Sequence, residues 1–223
     1  LNQDFDQKLI IILLVKNNNE LESEKLGAKF FGFVKSNEVY DIFIKRPNFF
    51  QSKKSNINFN SFIHGAELKS YEFNLYKTKK KNKIINFNID RKDIVTKKQK
   101  LDPILSGVNF TRDLVSEPGN ILHPDEYAKR LLPLKKLGIK VTVYDKKKLK
   151  KLGCNALLGV GQGSVRGSYL VTMEWNGTKS KSKPLAFVGK GVCFDTGGYS
   201  LKPARFMEDM TYDMAGSAAV VGL

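Results

Sequence analysis

The chain has 223 residues, enough for one large domain or two small ones, and 41% of them are hydrophobic, as in ordinary globular proteins. Its formal net charge of +16 comes mainly from lysine, because only six of the 38 basic residues are arginines. Specific recognition of nucleic acid relies on arginine. The composition therefore favours a solvated lysine-rich surface over a dedicated nucleic-acid surface.

The two cysteines, Cys154 and Cys193, lie far apart without paired spacing, which argues against a disulfide framework or a zinc knuckle. A reducing, cytoplasmic location is expected. The apolar run at residues 9–15 is too short to span a bilayer, and Asp4 and Asp6 precede it in place of a basic signal-peptide start. We expect a buried strand there and no association with a membrane.

The sequence predicts a small N-terminal α/β domain at residues 1–98. Its predicted elements are a strand at 9–15, a helix at 21–26, strands at 29–34 and 39–44, a roughly helical segment at 61–76 and a strand at 83–89. An interior glycine, Gly65, disfavours the helix at 61–76. Lysine-rich runs at 77–81 and 97–100 are typical of solvated turns.

The sequence predicts part of a second α/β domain at residues 99–223. Asp102 followed by Pro103 predicts the start of a helix, which the breakers at 116–120 end. The next predicted element is a helix that starts at 123–126, is kinked or split by Pro133 and is closed by Gly138. It is followed by a strand at 139–143, a helix capped by Asp145, strands at 156–160, 168–175 and 185–188, and a helix at 213–223. The short apolar run at 185–188 is typical of a strand buried on both faces.

The glycines of Gly159-Val-Gly-Gln-Gly163 do not have the spacing of a dinucleotide fingerprint, and a strand follows them in place of a helix. A glycine turn between two strands is the interpretation that the pattern favours.

Two stretches, 187–203 and 210–220, hold two lysines and two aspartates separated by glycines: Lys190, Asp195, Lys202 and Asp213. Carboxylates in a glycine-shaped loop suit a divalent cation. Lys190 can ligate a metal only as a neutral amine. Lys202 is better suited to act as a cation that polarises a substrate carbonyl.

Each residue also has a structural interpretation. A lysine at a strand end is usually exposed, Asp195 precedes Thr-Gly-Gly and suits a turn, and Asp213 suits a helix N-terminus. His64 and His123 lie outside the cluster, and His123 resembles a helix-entry residue. Cys193 lies in an apolar context and suits a core position better than the role of a nucleophile.

Longer motifs carry a resemblance to a known family. These are Val-Gly-Lys-Gly-Val-Cys-Phe-Asp-Thr-Gly-Gly-Tyr-Ser-Leu-Lys-Pro at 188–203 and Met-Thr-Tyr-Asp-Met-Ala-Gly-Ser-Ala-Ala-Val at 210–220, with upstream matches at 111–120, 157–164 and 170–175. They resemble the catalytic core of the leucyl (cytosol) aminopeptidase family. Looser similarity extends from about residue 60.

The resemblance implies part of a mixed-sheet α/β metallo-exopeptidase domain that acts on peptides with a free N-terminus and assembles as homohexamers. It implies two divalent ions, Mn or Zn, in the complete protein, with Lys190, Asp195 and Asp213 as ligands, Asp195 bridging, and Lys202 as the catalytic lysine. The implied reaction is metal-assisted hydrolysis, in which a bridging hydroxide attacks the scissile carbonyl while one metal holds the free amine of the substrate.

The family's remaining ligands and its catalytic arginine belong to a later motif similar to Asn-Thr-Asp-Ala-Glu-Gly-Arg, which this sequence does not contain. We therefore expect a C-terminally truncated chain with little or no peptidase activity. The alternative is a non-catalytic basic binding or assembly protein on the same scaffold, with nucleic acid as a partner that is possible but not favoured. Phosphate binding by Lys190, Lys202 and the glycine loops is a third hypothesis.

Overall fold

The computed structural model describes residues 19–39, 41–44, 58–78, 85–89, 93–178 and 183–223. The chain divides into two compact units, Leu1–Leu105 and Ser106–Leu223. Each unit combines helices with a two-stranded sheet, which confirms the predicted mixed α/β class. The strand predicted at 9–15 lies outside the described residues.

The first unit contains two helices and a parallel pair of strands. Its elements are α1 (Glu20–Ser36), β1 (Asp41–Ile44), α2 (Phe59–Ser70) and β2 (Asn86–Ile89). β1 pairs with β2 from Asp41 opposite Asn86 to Ile44 opposite Ile89. The next helix, α3 (Asp93–Ser116), contains the division between the units. No helix in the described part of the chain is long and apolar enough to cross a membrane.

Two glycines let α1 and α2 pack with their backbones in contact. A Cβ atom on Gly27 would lie 1.8 Å from the Phe62 carbonyl oxygen, and one on Gly65 would lie 1.9 Å from the Glu24 carbonyl oxygen. Beside this crossing the rings of Phe30 and Phe62 pack with centroids 5.4 Å apart. Gly65, which disfavours a helix by propensity, therefore has a packing role inside α2.

The strand predicted at 29–34 is wrong, because these residues belong to α1. Gly27, Phe30, Phe31 and Val34 are all buried, and their spacing of three, four and seven residues places them on one helical face. The helix begins at Asn19, whose side chain accepts a hydrogen bond from the Glu22 N–H at 2.7 Å. The helical period of these buried residues decides the structure of this segment.

The second unit places short helices around an antiparallel strand pair. After α3 come α4 (Pro124–Leu131), a 3-10 helix (Leu132–Leu137), β3 (Lys140–Tyr144), α5 (Lys146–Lys151), α6 (Asn155–Val160), β4 (Leu170–Glu174), α7 (Ala204–Met207), a second 3-10 helix (Glu208–Tyr212) and α8 (Ala215–Gly222). β3 and β4 are antiparallel, with Lys140 opposite Glu174 and Tyr144 opposite Leu170.

Several predicted boundaries are confirmed in this unit. His123 caps α4 by accepting a hydrogen bond from the Glu126 N–H, and the helix changes to 3-10 geometry just before Pro133. Gly138 ends that turn with φ of 84°. Asp145 caps α5 by accepting from the Lys148 N–H at 2.8 Å.

The core of the second unit collects side chains from α3, α4, β3 and α8 around Cys193. Its buried members are Leu114, Leu122, Tyr127, Leu131, Val141, Cys193, Met214 and Ala218. Burial raises the pKa of the Cys193 thiol to about 11, so the thiol stays protonated at neutral pH. This environment agrees with the prediction that Cys193 fills the core and is not a nucleophile.

Three predictions in this unit are wrong. α3 begins at Asp93 and continues through Pro103, because a proline removes only its own N–H from the helical ladder and bonding resumes on both sides. Residues 155–160 form α6 in place of a strand, since an apolar run this short does not distinguish the two structures.

The third concerns residues 185–188, which form no strand in the structure. Leu185 is 81% exposed and Val188 is 96% exposed, in contrast to the predicted burial on both faces. A strand needs a neighbour to accept and donate its backbone hydrogen bonds, and no described residue forms a ladder with this run.

We expect Gly27→Ala to destabilise the first unit, because its new methyl group would overlap the Phe62 carbonyl oxygen and force α1 and α2 apart. The free energy of unfolding should fall by about 2 kcal/mol, as measured by chemical denaturation. The matched control is Gly32→Ala in the same helix, where a Cβ atom meets nothing within 4 Å. That variant should gain up to about 1 kcal/mol from helix propensity, and equal losses in the two variants would contradict the close crossing.

Candidate metal centre

The loop that carries Asp195 and Lys202 is held in a tight conformation by its own backbone. The Asp195 Oδ1 atom accepts a hydrogen bond from the Gly197 N–H at 2.9 Å, and the Lys202 N–H donates to the Thr196 carbonyl oxygen at 2.9 Å. Gly197 has φ of 90°, and a Cβ atom there would lie 2.3 Å from the Ser200 carbonyl oxygen. Only glycine meets both requirements, so the Thr-Gly-Gly motif fixes the turn.

Within this loop Lys202 and Asp195 form an ion pair, called the 195/202 pair below. The Lys202 ammonium lies 2.8 Å from Asp195 Oδ2 and 2.9 Å from the Met210 sulfur. The Lys202 ammonium and, after it, the Gly197 N–H hold the pKa of the Asp195 carboxyl below its usual value. Asp195 is therefore an anion, and each of its two carboxylate oxygens accepts a hydrogen bond.

A second ion pair, called the 190/213 pair, joins the segment before the loop to the residue just before α8. Lys190 Nζ lies 2.8 Å from Asp213 Oδ2, and the Asp213 side chain is only 17% exposed. The Asp213 carboxylate raises the pKa of Lys190, and the charge of Asp195 acts in the same direction.

The structure thus pairs all four residues that the sequence singled out, Lys202 with Asp195 and Lys190 with Asp213. In this arrangement the two lysines neutralise the two carboxylates. Asp213 Oδ2 is buried and lies 2.8 Å from the Lys190 ammonium, so a metal ion at this oxygen would have to displace that ammonium or its proton.

The donor set fits part of a divalent-metal site. Two carboxylates and one amine are suitable ligands, provided that Lys190 gives up its proton. However, within residues 19–39, 41–44, 58–78, 85–89, 93–178 and 183–223 no group of three or more His, Cys, Asp or Glu side chains could hold a metal ion. The described residues therefore supply too few ligands to complete the coordination of two ions.

Sequence reasoning missed the residues that support this cluster. The Tyr127 hydroxyl lies 3.0 Å from the Ser217 hydroxyl, and the Ser217 N–H donates a hydrogen bond to the Lys190 carbonyl oxygen at 2.8 Å. Tyr127 follows an ordinary helical pattern, and Ser217 is one small residue among several in α8. No local sequence pattern predicts the contact between Tyr127 and Ser217, because the two residues lie 90 positions apart.

Residues 109–223 match the catalytic domain of the cytosol aminopeptidase family. The chain is also 49% identical over 167 residues to a probable cytosol aminopeptidase of Afipia carboxidovorans, a match that covers 71% of this chain and 33% of the relative. The chain thus spans about a third of the length of that relative.

Two solved structures share the fold at 24% sequence identity. The cytosol aminopeptidase of Coxiella burnetii matches with a TM-score of 0.74 over 89% of this chain and 41% of its own, and the bottromycin maturation enzyme BotP in complex with Mn matches with a TM-score of 0.73 over 90% of this chain and 43% of its own. Since the catalytic-domain match covers more than half of the chain, including both ion pairs, the chain belongs to the cytosol aminopeptidase family.

Proposed function

We propose that these residues form part of the active site of a metal-dependent aminopeptidase that releases N-terminal amino acids from peptides. The observation that carries the proposal is the pair of lysine–carboxylate contacts, both 2.8 Å long, inside the segment that matches the family's catalytic domain. Clusters of charged side chains in a glycine-shaped loop are costly to assemble and are typical of functional sites.

In the proposed site Lys190, Asp195 and Asp213 would hold divalent cations. Bound cations would activate water for attack and hold the free amine of the substrate. Hard carboxylate oxygens suit manganese, and the similar fold of the manganese complex of BotP also favours that metal over zinc.

Lys202 is the proposed catalytic lysine. Asp195 and the Met210 sulfur hold its ammonium group at one place in the loop. A fixed cation next to the metal ligands would bind the oxygen of the scissile carbonyl and stabilise the negative charge that develops on it. For that role the ammonium group must exchange its contact with Asp195 for one with the substrate.

We further propose that the complete site takes its remaining ligands from outside the described residues, and that the assembled enzyme is a cytoplasmic homohexamer. Three ligand groups satisfy only part of the coordination of two ions. The 223 residues alone should therefore bind metal weakly and turn over peptide substrates poorly.

The direct test is an assay of the purified 223-residue chain with leucinamide in the presence of manganese or zinc. We expect turnover at least about a thousandfold below that of a full-length family member such as the Afipia carboxidovorans relative, because loss of ligands removes the source of activated water. That relative, purified in parallel, is the positive control. Comparable turnover in the two proteins would contradict the proposed incompleteness.

The metal ligands are tested by binding of manganese to the same chain, measured by electron paramagnetic resonance. We expect a dissociation constant of about 10⁻⁴–10⁻³ M, as for sparsely coordinated cation sites, and a loss of about tenfold or more in Asp195→Asn and in Asp213→Asn. The control is Glu208→Gln, which removes an exposed carboxylate nearby. Equal affinity in Asp195→Asn and the unchanged chain would contradict the assignment.

One observation favours the alternative of a basic binding protein. Eight exposed lysines lie between residues 135 and 151: Lys135, Lys136, Lys140, Lys146, Lys147, Lys148, Lys150 and Lys151. One of them, Lys140, is neutralised by Glu174 at 3.1 Å. The others give this exposed stretch of the second unit a high density of positive charge, and such charge attracts polyanions.

Binding to a labelled DNA duplex distinguishes this alternative. At physiological salt we expect only non-specific affinity, with a dissociation constant of about 10⁻⁴–10⁻⁶ M that weakens steeply as salt rises. Fluorescence anisotropy over a salt series measures both quantities. Binding tighter than this range, lost when Lys146, Lys147, Lys150 and Lys151 are replaced by Gln, would favour the binding function.

A further inference from the structure

We propose that the hydroxyl groups of Tyr127 and Ser217 are positioning groups for the 190/213 pair. They connect α4 to the first turn of α8 and, through that turn, to the backbone of Lys190. The proposal rests on the proposed function of the 190/213 pair and assigns that site two supporting residues outside its candidate ligands.

The first link is the start of α8. Ser217 is the third residue of this helix, so its N–H has no acceptor within the helix. It donates instead to the Lys190 carbonyl oxygen at 2.8 Å. The Lys190 carbonyl thereby acts as a cap of α8, and the same residue extends its ammonium group to Asp213. Lys190 is thus bound to the α8 region by its backbone and by its side chain.

The second link is a chain of hydroxyl groups. The Ser217 hydroxyl donates its proton to the Met214 carbonyl oxygen at 2.8 Å. Because a serine hydroxyl has one proton, the 3.0 Å contact with Tyr127 must use the tyrosine as the donor and Ser217 Oγ as the acceptor. Burial raises the pKa of Tyr127 to about 12, which keeps the phenol protonated and able to donate.

The third link is the close approach of the two segments. A Cβ atom on Gly189 would lie 2.4 Å from Ser217 Cα, and one on Gly191 would lie 3.1 Å from Ser217 Oγ. The backbone on both sides of Lys190 therefore lies directly against Ser217. A shift of Ser217 away from Tyr127 would move the Lys190 carbonyl. The Lys190 Cα atom, from which the side chain extends to Asp213, would move with it.

Tyr127 is suited to fix this arrangement because its ring lies in the core of the second unit, which also holds Met214. A phenol ring packed on apolar side chains has few alternative positions, so its hydroxyl is a rigid reference point for the first turn of a short helix. The hydrogen bond from Tyr127 to Ser217 thus restricts the position of Ser217 and, through the Ser217 N–H, that of the 190/213 pair.

The test uses the 223-residue chain with Tyr127→Phe, Ser217→Ala and the double variant, and manganese is the probe. We expect each single variant to weaken manganese binding about threefold to tenfold, which is the usual effect of one lost hydrogen bond. The double variant should lose about as much as either single variant, since both remove the same contact. Tyr144→Phe, a half-buried tyrosine on β3, is the matched control and should bind manganese normally.

A second measurement separates positioning from stability. Hydrogen exchange of the Ser217 amide should accelerate about threefold to tenfold in Tyr127→Phe while the amides of β3 keep their protection. Manganese affinity within twofold of the unchanged chain in both single variants would overturn the proposal, as would faster exchange throughout the second unit. Failure of the metal assignment is distinguishable, because Asp195→Asn would then leave manganese binding unchanged. The positioning role would still be overturned on its own if the exchange rate of the Ser217 amide were the same in Tyr127→Phe as in the unchanged chain.

Discussion

The hydrogen bond from the Ser217 N–H to the Lys190 carbonyl oxygen, 2.8 Å long, joins the two segments that carry the candidate ligands. Residues 187–203 and 210–220 are separate in sequence, and this bond holds the two segments against each other. It satisfies a donor that the first turn of α8 leaves free and fixes the residue whose ammonium group meets Asp213. The small residues of α8 and Gly189 allow the approach, because any larger side chain would occupy the space of the bond.

Charge balance is the second constraint on the site. Each aspartate of the cluster is matched by a lysine, so the group carries no net charge while both lysines are protonated. The paired lysine lowers the cost of keeping each carboxylate charged away from bulk water. In the proposed metal site, a divalent cation would have to replace the proton of Lys190 and compete with Lys202 for Asp195.

Prediction from the sequence was most accurate where a local signal has one physical meaning. The caps at His123 and Asp145, the change of helix type near Pro133 and the turn at Gly138 are all set by single residues. It failed at 29–34 and 156–160, where a short apolar run is compatible with either a helix or a strand. It failed at 185–188 because a strand needs a neighbouring strand for its backbone hydrogen bonds, which a local pattern does not contain.

The sequence by itself determined the mixed α/β class, the family and the cluster of two lysines and two aspartates, because long motifs and glycine turns are local and specific. Only the tertiary structure decided which lysine pairs with which aspartate, and that Tyr127 reaches Ser217 across 90 residues. The physical reason is that side-chain pairing depends on the packing of segments against one another. Packing is a property of the folded chain, and residue spacing along the sequence does not specify it.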